Sequence, residues 1–548
     1  MLRVLVLGLS FGLFACGDDV DTSIPADATP DATVDATVDA SVPDGDADVP
    51  LGFCGELGLD VKPFEENPTG GFGDIAGDFV VELLDGSTFQ LSERWTGCET
   101  YVFINYFESA VGDQLWAGIL DPMLQRSPRN VQYFFTSYER DPAAARTRAE
   151  AMAQIFQESS EFLTPEELAY WQDRVHFVVE PLTDINGSVG NLARGAGSVQ
   201  FAFAIDRFQR FDPVGSLAQI GTGGFVQRLG MAAYAPHYYN YLHDLDARIA
   251  AETNVTVVPL VSETNFSERV FQRTAMLPSP AEVQAFDTLE IDVQLTCRLG
   301  APECSEWDRI ASIDACVDAT CEDRRELVRW ITPYSRPGLR RWVMDQSALL
   351  PLLHGGGEQA FQIELGPNWE RATMRDVEIS LRFSNRGGDR PIGIERAFVG
   401  GRFDASYNER EPFSLTPPAG AQRAELVVIV SGHGQDDANN CAEWCNHEHQ
   451  FVLNGGTERR IDFPGQVGEA LGCAELAQEG VVPGQYGNWA PRRAGWCPGY
   501  PVAPVRIDIS EDLNPGAANA LSYTATLNGG SPTGMGNVDL SAYVTYYP

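Results

Sequence analysis

Positive charge is scarce in this chain. Its 548 residues hold 38 Lys and Arg against 77 Asp and Glu, a formal net charge of −39. That balance argues against a nucleic-acid backbone or an anionic membrane surface as partner. A spanning hydrophobic run is lacking at the N-terminus, where the apolar stretch Val4 to Ala15 is too short to cross a bilayer as a helix. No Cys-x-x-Cys pair occurs, which removes the commonest zinc-site spacing. From Asp18 to Pro50 there is no aromatic residue, no Lys and no Arg. Such a segment cannot bury enough apolar surface to offset its ordering entropy, so residues 17–50 are expected to form an extended, self-repelling tether.

What is present begins with a targeting segment over residues 1–16. Arg3 supplies a positive start, an apolar run follows, and Leu13-Phe14-Ala15-Cys16 resembles a bacterial lipobox. The expectation is a lipid on Cys16 and an exported protein, anchored at the outer membrane or cell surface or else secreted, with membrane contact through that lipid alone. The alternative is a plain secretory signal. Eleven cysteines less Cys16 leave ten, an even number in an oxidising compartment. Spacing suggests Cys297–Cys304, Cys316–Cys321, Cys441–Cys445 and Cys473–Cys497, which leaves Cys54–Cys98.

The length calls for several domains. Residues 51–260 alternate strand and helix signals. Phe79 to Leu84 before Asp85-Gly86 reads as a hairpin, Tyr101 to Phe107 and Val131 to Ser137 as buried strands, Gln114 to Gln125 and Asp141 to Glu158 as helices, and Val199 to Asp206 as a further strand. This rhythm predicts a mostly parallel, covered sheet. Residues 263–400 and 401–548 change to period-2 runs such as Leu289 to Leu295, Val377 to Phe383, Ala424 to Val430 and Val505 to Ile509, separated by glycine and proline turns. They predict β-sandwiches or jelly rolls.

Three short stretches concentrate chemistry. Cys441-Ala442-Glu443-Trp444-Cys445 places a carboxylate and an indole in a tight loop, expected to present both outward. Arg493 and Trp496 stand beside Cys497, and Ser305-Glu306-Trp307-Asp308-Arg309 follows Cys304. Indole faces beside carboxylates and arginines suit a sugar, whose apolar face stacks while its hydroxyls hydrogen-bond. Each residue has a plainer reading as well: Asp308 beside Arg309 as a structural ion pair, Glu443 as a solvated loop residue. His447 and His449, alternate on one strand, suggest a metal pair, and His237 and His243 are a weaker case.

Taken with Ile331-Thr332-Pro333-Tyr334, Leu471-Gly472-Cys473 and Asn488-Trp489-Ala490-Pro491, these motifs follow one order from near Val270 to the C-terminus. In that order and rough spacing they resemble the peptide-N-glycosidase F family of glycoamidases. The resemblance implies two eight-stranded jelly rolls with a site in the cleft between them, three of the disulfide pairs, and no cofactor or metal. It implies a monomer that hydrolyses the amide between N-acetylglucosamine and asparagine in glycoproteins or glycopeptides. Asp308 would be the general base on water and would return the proton, with Glu443 positioning sugar and water. Arg309 and Arg493 would donate forked hydrogen bonds, Trp307, Trp444 and Trp496 would be stacking walls, and His433 and Trp369 would line the substrate. Glu364 is the nearest counterpart of the family's further functional Glu. The alternatives are a glycan-binding surface lipoprotein that does not cut, and copper-dependent monooxygenase chemistry on paired jelly rolls. Residues 51–260 in turn resemble a thioredoxin-like domain of the peroxiredoxin type. The position of its redox cysteine is taken by Glu108-Ser109-Ala110-Val111-Gly112, so a spacer or binding domain without redox chemistry is expected.

Overall fold

Apolar runs that must escape water on both sides account for the centre of the first region. In the computed structural model, Thr100–Tyr106 and Val131–Ser137 are buried at every position. They pair in parallel, and Val175–Pro181 joins in parallel on the far side of Val131–Ser137. Ala202–Ile205 and Phe211–Pro213 complete the five-stranded sheet in antiparallel sense. The sheet is therefore mixed rather than mostly parallel: Ala202–Ile205 enters against Thr100–Tyr106, and the short loop after Ile205 returns the chain as a hairpin instead of crossing over. Helix Pro142–Ser159 forms as its alanine-rich sequence predicts. The helix expected over 114–125 is two, Ala110–Leu115 and Asp121–Arg126, since Pro122 fits a first turn and not an interior. The structure describes residues 52–215, 217, 229–298, 305–318, 320–370, 373–434, 441–534 and 536–548. The expected lipid site Cys16 and the tether lie outside them.

Two sandwiches follow. In the first, Val270–Leu277, Gly357–Glu364, Ile310–Cys316 and Arg324–Ile331 form one sheet, and Gly338–Asp345, Thr288–Cys297, Arg375–Ser384 and Thr256–Phe266 the other. Their inward residues, among them Ile313, Ile363, Val293 and Leu381, share one core. In the second, Gly393–Arg402, Asn537–Tyr547, Arg423–His433 and Val505–Asp508 oppose Phe413–Leu415, Asn519–Leu527, His447–Leu453 and Glu458–Ile461 across their own core. The first sandwich thus starts at Thr256, ahead of the expected 263. Gly393–Arg402 already belongs to the second, ahead of the expected 401, because its partner is the C-terminal strand. A short segment crosses between them: Tyr500–Val502 pairs with Arg329–Ile331 and extends the first sandwich's sheet. Gly52–Pro548 hold together as one unit.

Cys54–Cys98, Cys316–Cys321, Cys441–Cys445 and Cys473–Cys497 are bonded. Cys304, the expected partner of Cys297, lies outside the described residues. No helix among the described residues is long and apolar enough to cross a membrane.

Candidate active site

Asp308 lies on the short approach to strand Ile310–Cys316, and Thr332 clamps that approach on both sides. The Thr332 hydroxyl donates to the Trp307 carbonyl at 2.9 Å and accepts from the Arg309 amide at 2.8 Å. Two residues further on, the Tyr334 hydroxyl donates to Asp308 Oδ2 at 2.8 Å. Gly487 lets the chain pass the Tyr334 ring: its φ is +80°, and a Cβ there would lie 2.5 Å from the ring.

Arg493 reaches the same carboxylate from the second sandwich's side of the molecule. Its Nη2 lies 3.5 Å from Asp308 Oδ2 and 3.2 Å from the Tyr334 hydroxyl, and its Nε lies 3.5 Å from Glu443 Oε1. Its remaining donors are spent on backbone carbonyls, Pro491 O at 2.7 Å and Asn488 O. The buried guanidinium is thus fixed by the loop and shared between two carboxylates. The Trp444 and Trp496 rings stand 4.7 and 5.0 Å from it.

Glu443 departs from expectation. The segment Cys441–Trp444 folds into one helical turn, with the Cys445 amide donating to the Cys441 carbonyl at 3.1 Å. Glu443 points inward and is 7% exposed. The reason is electrostatic: Arg493 offers the only cation within ion-pair distance of it among the described residues, and a buried carboxylate needs one. The Ala494 amide also donates to the Glu443 carbonyl at 3.0 Å, which ties the two loops together.

The two carboxyls are poised differently from free ones. Burial raises Asp308 above the usual carboxylate range, opposed first by the Arg493 charge and then by the Tyr334 hydrogen bond. Burial, and next the charge of Asp308, push Glu443 up to about 7, against the pull of Arg493. Burial and the neighbouring Asp308 raise the Tyr334 hydroxyl, which keeps it a donor.

Several expected site residues sit elsewhere. Arg309 turns from Asp308 to Glu370, with Nε 3.3 Å from Oε1, and lies over the Trp369 ring at 4.7 Å. Glu370 is buried and also pairs with Arg269 at 3.0 Å. Glu364 is not in this group. It ends strand Gly357–Glu364 opposite Ser312, and the charges that act on it are Arg324 and Asp539. Trp496 is a buried support rather than a stacking wall: its indole N–H donates to Gly432 O at 2.6 Å, and its ring stacks on His433. His433 is held by Ser431 and kept neutral by burial. The open rings are Trp307 and Trp369, 44% and 74% exposed.

Sequence reasoning quoted Tyr334 in a motif without giving it a role, and passed over Glu370. A signal for the second existed, since Trp369-Glu370 repeats the indole–acid order of Trp307-Asp308. His447 and His449 do share one strand face, but they bond to each other at 2.7 Å. His237 and His243 contact Arg126 and Asp206 respectively. Among the described residues no group of three or more His, Cys, Asp or Glu could hold a metal. A cavity of about 830 Å³ between helix Tyr234–Ala251 and strand Thr288–Cys297 is lined by none of the residues around Arg493.

The chain is similar to several known proteins. Residues 403–545 match the family model for the C-terminal domain of peptide-N-glycosidase F. The peptide-N(4)-(N-acetyl-beta-D-glucosaminyl)asparagine amidase F of Elizabethkingia miricola is 28% identical over 256 residues, 44% of this chain and 69% of that protein. Among solved structures, the glycosylasparaginase PNGase F of Flavobacterium meningosepticum is 22% identical over 54% of this chain and 96% of its own, with a TM-score of 0.40. PNGF-II is 14% identical over 55% of this chain and 66% of its own, with a TM-score of 0.42. Residues 403–545 are thus similar to the C-terminal domain of the peptide-N-glycosidase F family.

Proposed function

We propose that this protein hydrolyses the amide bond between N-acetylglucosamine and the asparagine side chain of N-glycopeptides or glycoproteins, releasing the glycosylamine and leaving aspartate. The observation that carries the reading is the meeting of Asp308 and Glu443, from different sandwiches, on one buried guanidinium. Amide hydrolysis needs a base for water, stabilisation of the oxyanion and an acid for the leaving nitrogen. Asp308, oriented by Tyr334 and Arg493, takes the proton from water. Arg493, with its charge fixed between the two acids, stabilises negative charge developing on the carbonyl oxygen. Glu443 is pushed up to about 7, so near neutral pH it is protonated often enough to return a proton to the amine. This refines the expectation that Asp308 does both. Trp307 and Trp369 offer the exposed faces for the sugar, and Glu370 holds Arg309 beneath Trp369.

The test is a defined N-glycopeptide incubated with the protein, with the products weighed. Amide hydrolysis leaves Asp for Asn, a gain of about one mass unit on the peptide. One N-acetylglucosamine left on the peptide would mean a cut between sugars, and tight binding with no release would favour the non-cutting reading.

Around this site we read residues 51–260 as a thioredoxin-type domain without its redox centre, and 263–400 and 401–548, shifted as described, as the two jelly rolls. The sheet order, with its fourth strand antiparallel to the central one, supports the first part. Cys54 and Cys98 are joined to each other, away from the position after Thr100–Tyr106. An exported monomer held to a bacterial membrane through Cys16 completes the reading, and the disulfides fit export.

A further inference from the structure

Behind the Cys441–Trp444 turn runs a chain of buried polar side chains that the reaction itself does not touch. His447 and His449 alternate on strand His447–Leu453, so both enter the core of the second sandwich, and neither is exposed. His447 Nδ1 lies 2.7 Å from His449 Nε2, and His449 Nδ1 lies 2.8 Å from the Tyr523 hydroxyl. That hydroxyl lies 2.9 Å from the Tyr407 hydroxyl. At the other end, His447 Nε2 faces the carbonyl of Ala442. It is buried there without a hydrogen bond of ordinary geometry. Gly432 is pressed against both: a Cβ would lie 1.6 Å from Ala442 O and 2.5 Å from His447 Nε2.

Proton bookkeeping gives this chain a direction. Burial holds both imidazoles neutral, with His447 lowered to about 4 and His449 well below its ordinary value. Each ring therefore has one N–H and one lone pair. Run toward Tyr407, the chain would turn a lone pair of His447 Nε2 onto the Ala442 oxygen, two acceptors facing each other in a dry core. Run the other way, Tyr407 donates to Tyr523, Tyr523 to His449 Nδ1, His449 Nε2–H to His447 Nδ1, and His447 Nε2–H points at the Ala442 oxygen. Only the second direction turns a donor, rather than a second lone pair, toward the Ala442 oxygen while every other acceptor in the chain keeps its donor.

We propose that His447, His449 and Tyr523 are positioning residues that hold the Ala442 carbonyl, and with it the Glu443 turn, against Arg493. Ala442 is the residue before Glu443, and the Glu443 carbonyl in turn receives the Ala494 amide beside Arg493. A displaced Ala442 carbonyl would therefore move both the acid and the loop that carries its cation. The functional consequence rests on the hydrolase reading, while the hydrogen-bond direction does not.

The experiment is nitrogen NMR of the full chain labelled in histidine, followed by two substitutions. In the wild type both rings should appear as neutral Nε2–H tautomers from pH 5 to pH 8. Tyr523→Phe keeps the ring stacked on Phe451, centroids 4.6 Å apart, and removes the donor to His449. It should redistribute the tautomers, displace the Glu443 carboxyl titration, and lower kcat by about 10- to 100-fold with KM changed far less, as a misplaced catalytic group does. His447→Gln retains an amide donor at the Nε2 position and should keep more activity than His447→Leu. Nδ1–H tautomers in the wild type would overturn the proposal, as would a Tyr523→Phe protein with unchanged Glu443 titration. Should the wild type release no glycan, the tautomers and the Glu443 titration still decide the positioning claim, so the two failures are distinguishable.

Discussion

Asp308→Asn separates the two acids that share Arg493. The amide keeps the side chain's volume and still accepts from Tyr334, so the loop should stay in place while one buried charge disappears. Glu443 is raised mainly by burial and next by the Asp308 charge, with Arg493 opposing both. Two carboxylates on either side of one guanidinium, on the order of 7 Å apart, repel by about 2 kcal/mol at an effective dielectric of 20. Removing that repulsion should lower the Glu443 carboxyl by about 1.5 pH units, leaving the burial contribution. The stability consequence has a definite sign. A carboxyl whose folded pKa lies above its unfolded value contributes stability below the unfolded pKa and loses it as pH rises through the folded one. Glu443 moves from an ordinary 4.5 to about 7, so the wild type should lose about 3 kcal/mol across that window. Asp308, also raised, adds loss of the same sign. The variant should show a much flatter profile, and glycan release should fall by at least about 10²-fold, the lower bound for general-base help. Urea unfolding at pH 5, 6, 7 and 8, beside product mass analysis, reads both effects. A variant that keeps the wild-type slope, or full release, refutes the coupling or the role of Asp308.

Arg493→Met leaves two buried carboxyls without their cation, and the fold should weaken by about 3 kcal/mol or more at pH 8 in urea titration, with release abolished; the deficit should shrink at pH 5, where Glu443 is protonated. Glu370→Gln removes the charge that holds Arg309 and Arg269, and glycopeptide KM should rise more than kcat falls; an unchanged KM would detach Trp369 from binding. Replacing Cys473 and Cys497 together by serine opens a loop of sequence separation 24 and should cost about 3 kcal/mol, read by urea midpoint against the wild type. The protein should not turn over peroxide, since Glu108 to Gly112, after Thr100–Tyr106, contain no cysteine; turnover that Cys98→Ser abolishes would contradict this.

The β-rich half was legible because its strands obey a period of two and its turns are marked by glycine and proline. Val377 to Phe383 and Leu289 to Leu295, read as separate strands, are direct neighbours with Val377 opposite Leu295. What the alternation could not give was which strand pairs with which. Gly393–Arg402 looked like the end of one domain because its sequence neighbours belong there, yet its partner is a strand more than a hundred residues away. The same limit hid Glu370. Spacing along the chain favoured Glu364, but the decisive facts are which acid meets Arg309 and Arg269 across loops. Glu443 was found and misaimed: a five-residue loop reads as an exposed bump until the cation that draws its acid inward is known.

That cation also explains why the site should be cooperative with domain docking. Asp308 is held by Thr332 and Tyr334 of the first sandwich, Glu443 by a turn of the second, and Arg493 by a loop that both sandwiches grip. Just beyond that loop, Tyr500–Val502 hydrogen-bonds into the first sandwich's sheet opposite Arg329–Ile331. The strand register that brings Tyr500 opposite Ile331 therefore also sets the distance from Thr332 and Tyr334 to Arg493. If the sandwiches parted, Arg493 would keep Glu443 and lose Asp308, and both acids would become water-exposed and ordinary. A raised Glu443 is thus a property of the docked pair, and the same contact that makes it an acid near neutral pH assembles the base beside it.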